Sequence, residues 1–361
     1  MGAAEARRRA VGSGPRRAGI GILILVAMAV AGCAAEPPAT APIAAATAPA
    51  VAVAPADAEP AVCAVSFVDD AAPLAVQQQH VGARFAALPI PARAGSVFAG
   101  WYTSAAAALS RDAASRVNGA KLVECPDGRL TLHGAWDSPA QFWATGTRVP
   151  ILMYHTFTTD PDGISGSQRS NTVYTRTFDA QLGYIAREGF YLPTWDELDA
   201  FIDGRLALPR RSVIITDDDA APSWFALGVP LVDEHRLLTT SFVITQSRDW
   251  KVPSIWVQQR SHTNDMHRMG ANGRGLMVNL PAAAIAADMA TSARILGVAQ
   301  VMAYPFGHVD ATAERGLGQA GFQMAVTTVP GYVTPGTNKL ELPRMKVAYG
   351  MSVQELAAVI G

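Results

Sequence analysis

From Val149 onward, apolar runs of strand length alternate with amphipathic helical segments, and several runs end in reactive side chains. "PILMY" leads into His155, "SVIIT" into Asp217, Asp218 and Asp219, "TSFVIT" into Gln246, and "QVMAY" into Pro305-Phe306-Gly307. Between them lie "TFDAQLGYIAREG", with Phe178, Leu182 and Ile185 on one face, then "WDELDAFIDG" and "PAAAIAADMATSARILG". Near-continuous apolar strands separated by helices specify an α/β chain with a parallel sheet or barrel. In such barrels, chemistry collects at the C-terminal ends of the strands, where these polar residues stand.

The stretch "SHTNDMH", Ser261 to His267, sets two histidines five positions apart. Five residues rotate a helix by roughly 500°, so both rings could not face one point from a single helix. For one ion to hold both, the segment must leave a loop and turn into a helix, with further ligands from elsewhere. Three adjacent aspartates behind "VIIT" put carboxylates at the rim of a core. One carboxylate and two imidazoles leave a position on zinc open for water, the layout of a catalytic site.

The N-terminal part obeys different rules. Arg7, Arg8, Arg9, Arg16 and Arg17 precede the apolar run "IGILILVAMAVA", Ile20 to Ala31. Residues 1–32 therefore read as a secretory leader, too short in its apolar part to span a bilayer, which needs about 20 residues. Between Ala34 and Pro60, 19 of 27 residues are Ala or Pro. Such a stretch buries no core, and residues 33–60 read as an extended tether. Without the leader, basic residues fall from 29 to 24 and acidic from 30 to 29, a net charge of −5. That sign argues against nucleic acid as a partner.

Residues 61–138 form a small β-rich unit, with short strands in "AVSFVDD", "VFAGWYT" and "RLTLHGAW" set off by turn signals. Cys63 and Cys125 can oxidise to a bridge in an exported chain. Trp101 and Tyr102 read as core aromatics, and no residue set here looks catalytic.

Several of these words resemble known families. "VAGC" resembles the lipobox of bacterial lipoproteins, which implies a lipidated Cys33, export and membrane attachment through lipid; Ala34 and Ala35 favour the outer membrane, facing the periplasm. "FAGWYT" and "LTLHGAW" look like the Listeria–Bacteroides, internalin B-type repeat, which implies a β-grasp-like fold with "ALSRDAASRVNG" as an insertion.

Residues 148–361 resemble the polysaccharide deacetylases, carbohydrate esterase family 4. "VIITDDDA" is similar to T-F-D-D-G, "SHTNDMH" to H-[ST]-x-x-H, "AYPFG" to P-Y-G, "VPILMYHTF" to the L-M-Y-H opening and "ELPRMKV" to L-P-R-I-x-V. The longer histidine spacing is similar to the poly-β-1,6-N-acetylglucosamine N-deacetylases. The resemblance implies a distorted, incomplete (β/α) barrel and a divalent metal, zinc above others. It also implies a polysaccharide substrate and removal of N-acetyl groups. Carried onto this chain, it makes Asp218 the general base, Asp219, His262 and His267 the metal ligands, and His155 the general acid. Phe306, through its backbone N–H, and Tyr304 fall at the oxyanion and substrate positions. The chain departs from the pattern where Asp217 stands for Phe and Ala220 for Gly. A shifted register would make Asp217 the base and Asp218 the ligand. Ala220 would crowd a turn in which glycine allows positive φ. Arg344 can stand in for the arginine that orients the base, and Trp250 reads as a core or cleft-wall residue. A non-catalytic carbohydrate-binding lipoprotein and an O-deacetylase remain as alternatives.

Overall fold

The computed structural model describes residues 61–69, 74–246 and 254–361. The leader, the tether, Cys33 and Trp250 lie outside the described residues.

A five-stranded sheet comes first in the chain. Its strands are β1 (Val62–Val68), β2 (Gln77–His80), β3 (Val97–Tyr102), β4 (Arg116–Val117) and β5 (Arg129–Asp137), in the order β2-β1-β5-β3-β4. β1 and β5 pair in parallel at the centre, and the flanking pairs are antiparallel. Helix α1 (Ala105–Ser110) follows β3. Cys63 and Cys125 are joined by a disulfide, with Cα atoms 5.9 Å apart. Trp101 and Tyr102 are both buried.

The segment expected as an insertion is instead part of the fold. It completes α1 and supplies β4, which pairs with β3 through Trp101↔Val117. It also carries Arg116 and Asn118, both buried. Asn118 Nδ2 donates to Glu197 Oε2 at 2.6 Å and to the Leu192 carbonyl at 2.8 Å. Arg116 sits 3.7 Å from Glu197 Oε1, with its guanidinium 4.7 Å from the centre of the Tyr191 ring. A local reading cannot see these partners, because they lie more than seventy residues away.

Helix α2 (Pro139–Ala144) leads into the barrel. Its strands are β6 (Ile151–Tyr154), β9 (Ile214–Asp218), β10 (Thr239–Val243), β11 (Val257–Ser261), β12 (Val301–Ala303), β13 (Met324–Pro330) and β14 (Leu342–Lys346). A short parallel pair, β7 (Thr156–Thr158) and β8 (Thr172–Tyr174), stands outside the ring just after β6. The helices are α3 (Thr175–Arg187), α4 (Trp195–Ile202), α5 (Val229–His235), α6 (Ala282–Leu296), α7 (Ala311–Gln319) and α8 (Val353–Ile360).

All seven barrel strands run in parallel and close in the order β10-β11-β12-β13-β14-β6-β9, with β9 paired back to β10. One strand fewer than a (β/α)₈ barrel is the incompleteness. The distortion is local: β11 and β12 share a single register pair, Ser261↔Met302, and β13 slips against β14 between Val326 and Pro330. No helix among the described residues is long and apolar enough to cross a membrane.

The helices form for identifiable reasons. Phe178, Leu182 and Ile185 line one stripe of α3 and are fully buried, each worth roughly 1.5–3 kcal/mol of apolar burial. Thr194 and Glu197 close a capping box at the start of α4, and Asp310 caps α7 by accepting from Thr312 N and Ala313 N. β6 and β9 are buried along their whole length, as strands enclosed on both faces must be.

Candidate metal and acid–base site

The reactive residues meet at the C-terminal rim of the barrel. His155 follows β6, Asp218 ends β9, His262 follows β11 and Tyr304 follows β12. Together with Asp219, His267 and Phe306 they line an open cleft of about 480 Å³. A side chain on a strand end is held by the ladder beneath it, so this rim is a rigid place for chemistry.

Strand alternation assigns the three aspartates. Thr216 and Asp218 share one face of β9, and Asp217 points to the other. Asp217 is fully buried, and its Oδ2 accepts from the Ser241 hydroxyl at 3.1 Å. Burial, with the charges of Asp218 and Asp219, pushes its carboxyl well above the usual range. Asp218 faces Arg344, which grips it in fork geometry: Nη1 to Oδ1 at 2.7 Å and Nη2 to Oδ2 at 2.6 Å. Arg344 also donates to the Thr327 carbonyl at 2.7 Å and the Thr216 hydroxyl at 3.2 Å. Burial acts to raise the Asp218 carboxyl, but the charge and hydrogen bonds of Arg344 outweigh it and hold it lowered.

At Asp219 the backbone turns left-handed, with φ 74°, and Ala220 follows at φ 48°. The turn swings the third carboxylate off the strand and into the cleft. Its Oδ1 lies 3.3 Å from His262 Nε2 and 3.1 Å from His267 Nε2. Burial opposes ionisation of Asp219, but the imidazoles beside it, His262 first and then His267, leave its carboxyl far below the usual range.

The two histidines reach this point without a helix. The expected loop-to-helix turn is replaced by a strand end and a tied loop. Thr263 takes φ 71°, and Met266, the residue just before the second histidine, is buried in the same core cluster as Met277. Two elements hold the loop. From α6, the Asp288 carboxylate accepts from Asn264 N and Asp265 N, both at 2.8 Å, and Ser292 bonds Ser261 at 2.7 Å. From the end of β10, Thr245 Oγ1 donates to Asn264 Oδ1 at 3.0 Å, and the Gln246 amide faces the Asp265 carboxylate. Asp288 was missed by the sequence reading. Its only signal is the i,i+4 spacing to Ser292 on one face of α6.

The donor set fits a divalent ion. Among the described residues Asp219 Oδ1 is buried without a hydrogen-bond partner, and one ligand atom from each of Asp219, His262 and His267 lies within 4.8 Å of the others. His262 Nδ1 bonds the Ala303 carbonyl at 2.7 Å, which fixes the proton there and leaves Nε2 with a free lone pair. Carboxylate and imidazole suit zinc.

The remaining site residues surround this point. His155 Nε2 is 3.9 Å from Asp218 Oδ2. Burial lowers its pKa, and the charges of Asp218 and Asp219 only partly offset this. Phe306 is 40% exposed, has a left-handed backbone at φ 61°, and lays its ring over His267 at 4.6 Å. Gly275 packs against it, where a Cβ would meet Phe306 Cδ2 at 3.0 Å. Tyr304 lines the cleft, but it packs in the same methionine-rich core as Met266, and its Oη has no hydrogen-bond partner among the described residues.

No family model matches the chain. It is 23% identical over 228 residues to YxkH of Bacillus subtilis strain 168, which carries a provisional polysaccharide deacetylase name; the match covers 59% of this chain and 76% of that protein. It is 22% identical over 162 residues to poly-β-1,6-N-acetyl-D-glucosamine N-deacetylase of Staphylococcus aureus, covering 39% of this chain and a little over half, 56%, of the relative. Among solved structures, the deacetylase PplD of Streptococcus pyogenes, in complex with acetate, superposes with TM-score 0.51 at 20% identity, covering 60% of this chain and 99% of that one. IcaB from Ammonifex degensii superposes with TM-score 0.50 at 23% identity, covering 60% and 97%. By sequence and by fold, the chain is related to polysaccharide deacetylases, poly-β-1,6-N-acetyl-D-glucosamine N-deacetylases among them. These likenesses lend no support to the internalin-type repeat.

Proposed function

We propose that this chain is a metal-dependent hydrolase that removes N-acetyl groups from an N-acetylhexosamine polysaccharide of the cell envelope or biofilm matrix. The observation that carries the reading is the convergence of Asp219 Oδ1 with His262 Nε2 and His267 Nε2, at 3.3 and 3.1 Å, beside an Arg344-held Asp218. This geometry supports the register with Asp218 as base and Asp219 as ligand. The shifted register would send Asp217 into a cleft from which it points away.

A divalent ion, zinc in our reading, held by Asp219, His262 and His267 supplies Lewis acidity toward the acetyl carbonyl and acidifies water. The protein supplies the rest. Asp218 stays ionised and takes the proton of the attacking water; Arg344 occupies one lone pair on each oxygen and leaves the others free. His155, whose Nε2 lies 3.9 Å from Asp218 Oδ2, gives a proton to the leaving amine. The backbone N–H of Phe306 faces the developing oxyanion in this reading, and the Phe306 ring screens His267 from water. Tyr304 supports that wall from beneath.

The reading without catalysis rested on the altered D-D-D-A segment. With Asp217 turned aside, the base and ligand pair is intact, which favours turnover. The test is zinc content together with acetate release from partially acetylated poly-glucosamine or chito-oligosaccharide. Protein that binds zinc stoichiometrically and releases acetate supports the reading; zinc-loaded protein that releases none sinks it. Release from acetylated xylan but from no amino sugar favours the O-deacetylase. The leader and Cys33 support export and lipid attachment, with the outer membrane, periplasmic face, as the site. Radiolabelled palmitate incorporated by the full chain and lost in Cys33→Ser tests that part.

A further inference from the structure

Once the catalytic groups are paired, one charge in the cleft remains without a partner. Lys346 ends β14, and its backbone pairs with Met153, two residues before His155. Its side chain is exposed and lines the same cleft as His155 and Asp219. Among the described residues it has no hydrogen bond and no acidic side chain within ion-pair distance. The other charges cancel locally. Asp218 is neutralised by Arg344 at 2.6 and 2.7 Å. Asp219 faces two imidazoles and, with a divalent ion bound, is outweighed. Two further polar residues that line the cleft, Asn171 and Thr328, are neutral. The loaded cleft is therefore cationic at its rim.

That sign bears on the product. Hydrolysis of an N-acetyl group turns a neutral sugar into one bearing an amine, which takes up a proton and becomes cationic. We infer that Lys346 is a specificity-determining residue that makes the cleft discriminate against glycan already carrying free amines near the bond to be cut. The inference rests on the deacetylase reading and names which form of that substrate the site accepts. Two like charges about 7 Å apart in a cleft of intermediate dielectric repel by enough to change an equilibrium about fivefold. The repulsion pushes product sugars out and spaces new cuts along the chain. The polymer that leaves is partly acetylated. A surface lysine fully screened by water would give no such effect, and salt distinguishes the two.

The experiment compares a fully N-acetylated glucosamine pentamer with the same pentamer carrying one free amine. kcat/KM is measured for each with zinc-loaded enzyme. Binding of each is measured by calorimetry to zinc-loaded Asp218→Asn, with and without the Lys346 substitutions. The wild type should prefer the neutral pentamer by about fivefold at low ionic strength, with the gap shrinking in high salt. Lys346→Gln should close the gap, Lys346→Glu should invert it, and Lys346→Arg should keep it. Equal handling of both pentamers by the wild type, an unchanged gap in Lys346→Gln, or no binding of either pentamer overturns the inference. If neither pentamer is hydrolysed but the charge-dependent gap in binding persists, the deacetylase reading fails and the selectivity of the cleft stands.

Discussion

Arg344 and Asp218 form a buried bidentate pair, with Nη1–Oδ1 at 2.7 Å and Nη2–Oδ2 at 2.6 Å, across the top of the barrel from β14 to β9. The two residues are 126 positions apart and both almost wholly shielded from solvent. The pair couples the fold to the chemistry, because the same contact that satisfies a buried arginine also aims a carboxylate at the cleft.

Arg344→Met leaves the Asp218 charge buried without compensation. Breaking such a pair from one side costs about 3–5 kcal/mol. The expected result in urea unfolding is a loss of that order, with much of it recovered when Asp218→Asn is added, since the orphaned charge is then gone. Arg344→Lys keeps the charge but not the fork, and should retain more stability than activity. Additive losses in the double variant would show that the pair is not coupled as described.

The strands and helices of the barrel were legible because each one is written locally. "VIIT" must be a buried strand whatever surrounds it, and Phe178, Leu182 and Ile185 mark the inner face of α3 at any position in the fold. The candidate ligands were legible because carboxylate and imidazole at strand ends are rare without purpose. What stayed hidden depends on contacts between distant segments. The carboxylate of Asp288 under the histidine loop and the buried Arg116 and Asn118 of the small sheet reach partners that no periodicity encodes, and Arg344 was placed beside Asp218 by the family resemblance rather than by any pattern in the chain. The helix expected at His267 was wrong for a related reason: spacing counts residues, whereas the left-handed Thr263 and the anchored Met266 set the direction of the chain.

Asp288 should matter for metal although it touches none. It accepts the N–H groups of Asn264 and Asp265, the two residues that follow Thr263 in the path from His262 to His267. Removing a group that orients ligands typically costs 10–100-fold in metal affinity. Asp288→Ala is expected to weaken zinc binding by about tenfold, read by competition with a chelating dye. Arg268→Ala, whose exposed side chain meets the loop only through a surface ion pair with Asp265, should do much less. Equal effects of the two would mean that the loop is not held from α6.

The pH profile follows from two lowered pKa values. In the proposed mechanism Asp218 acts ionised, and Arg344 keeps its carboxyl below the usual range, so the acidic limb is expected to lie low. In the proposed mechanism His155 acts protonated toward the leaving amine, and burial lowers its pKa. The protonated fraction, and with it kcat/KM, is therefore expected to fall as pH rises through a midpoint below about 6.5, the ordinary imidazole value. His155→Gln should remove that limb and lower kcat/KM by about a hundredfold or more. Persistence of the same limb in the variant would assign it to another group.

Ala220 tests how the third aspartate is delivered. It stands where glycine is expected, buried, at φ 48°, directly after Asp219 at φ 74°. Replacing it with glycine relieves about 1–2 kcal/mol of left-handed strain. The same change gives up about 0.8 kcal/mol of methyl burial and a further 0.5–1 kcal/mol of chain entropy. The terms nearly cancel, so Ala220→Gly should leave unfolding free energy and zinc affinity close to wild type. Ala220→Val adds a branched Cβ in a conformation such residues avoid, inside a closely packed core. It should lower stability by about 2 kcal/mol or more and weaken zinc binding, because the chain must leave the left-handed turn and carry Asp219 away from His262 and His267. Zinc affinity that survives in Ala220→Val would show that the turn is not what brings the carboxylate to the histidines.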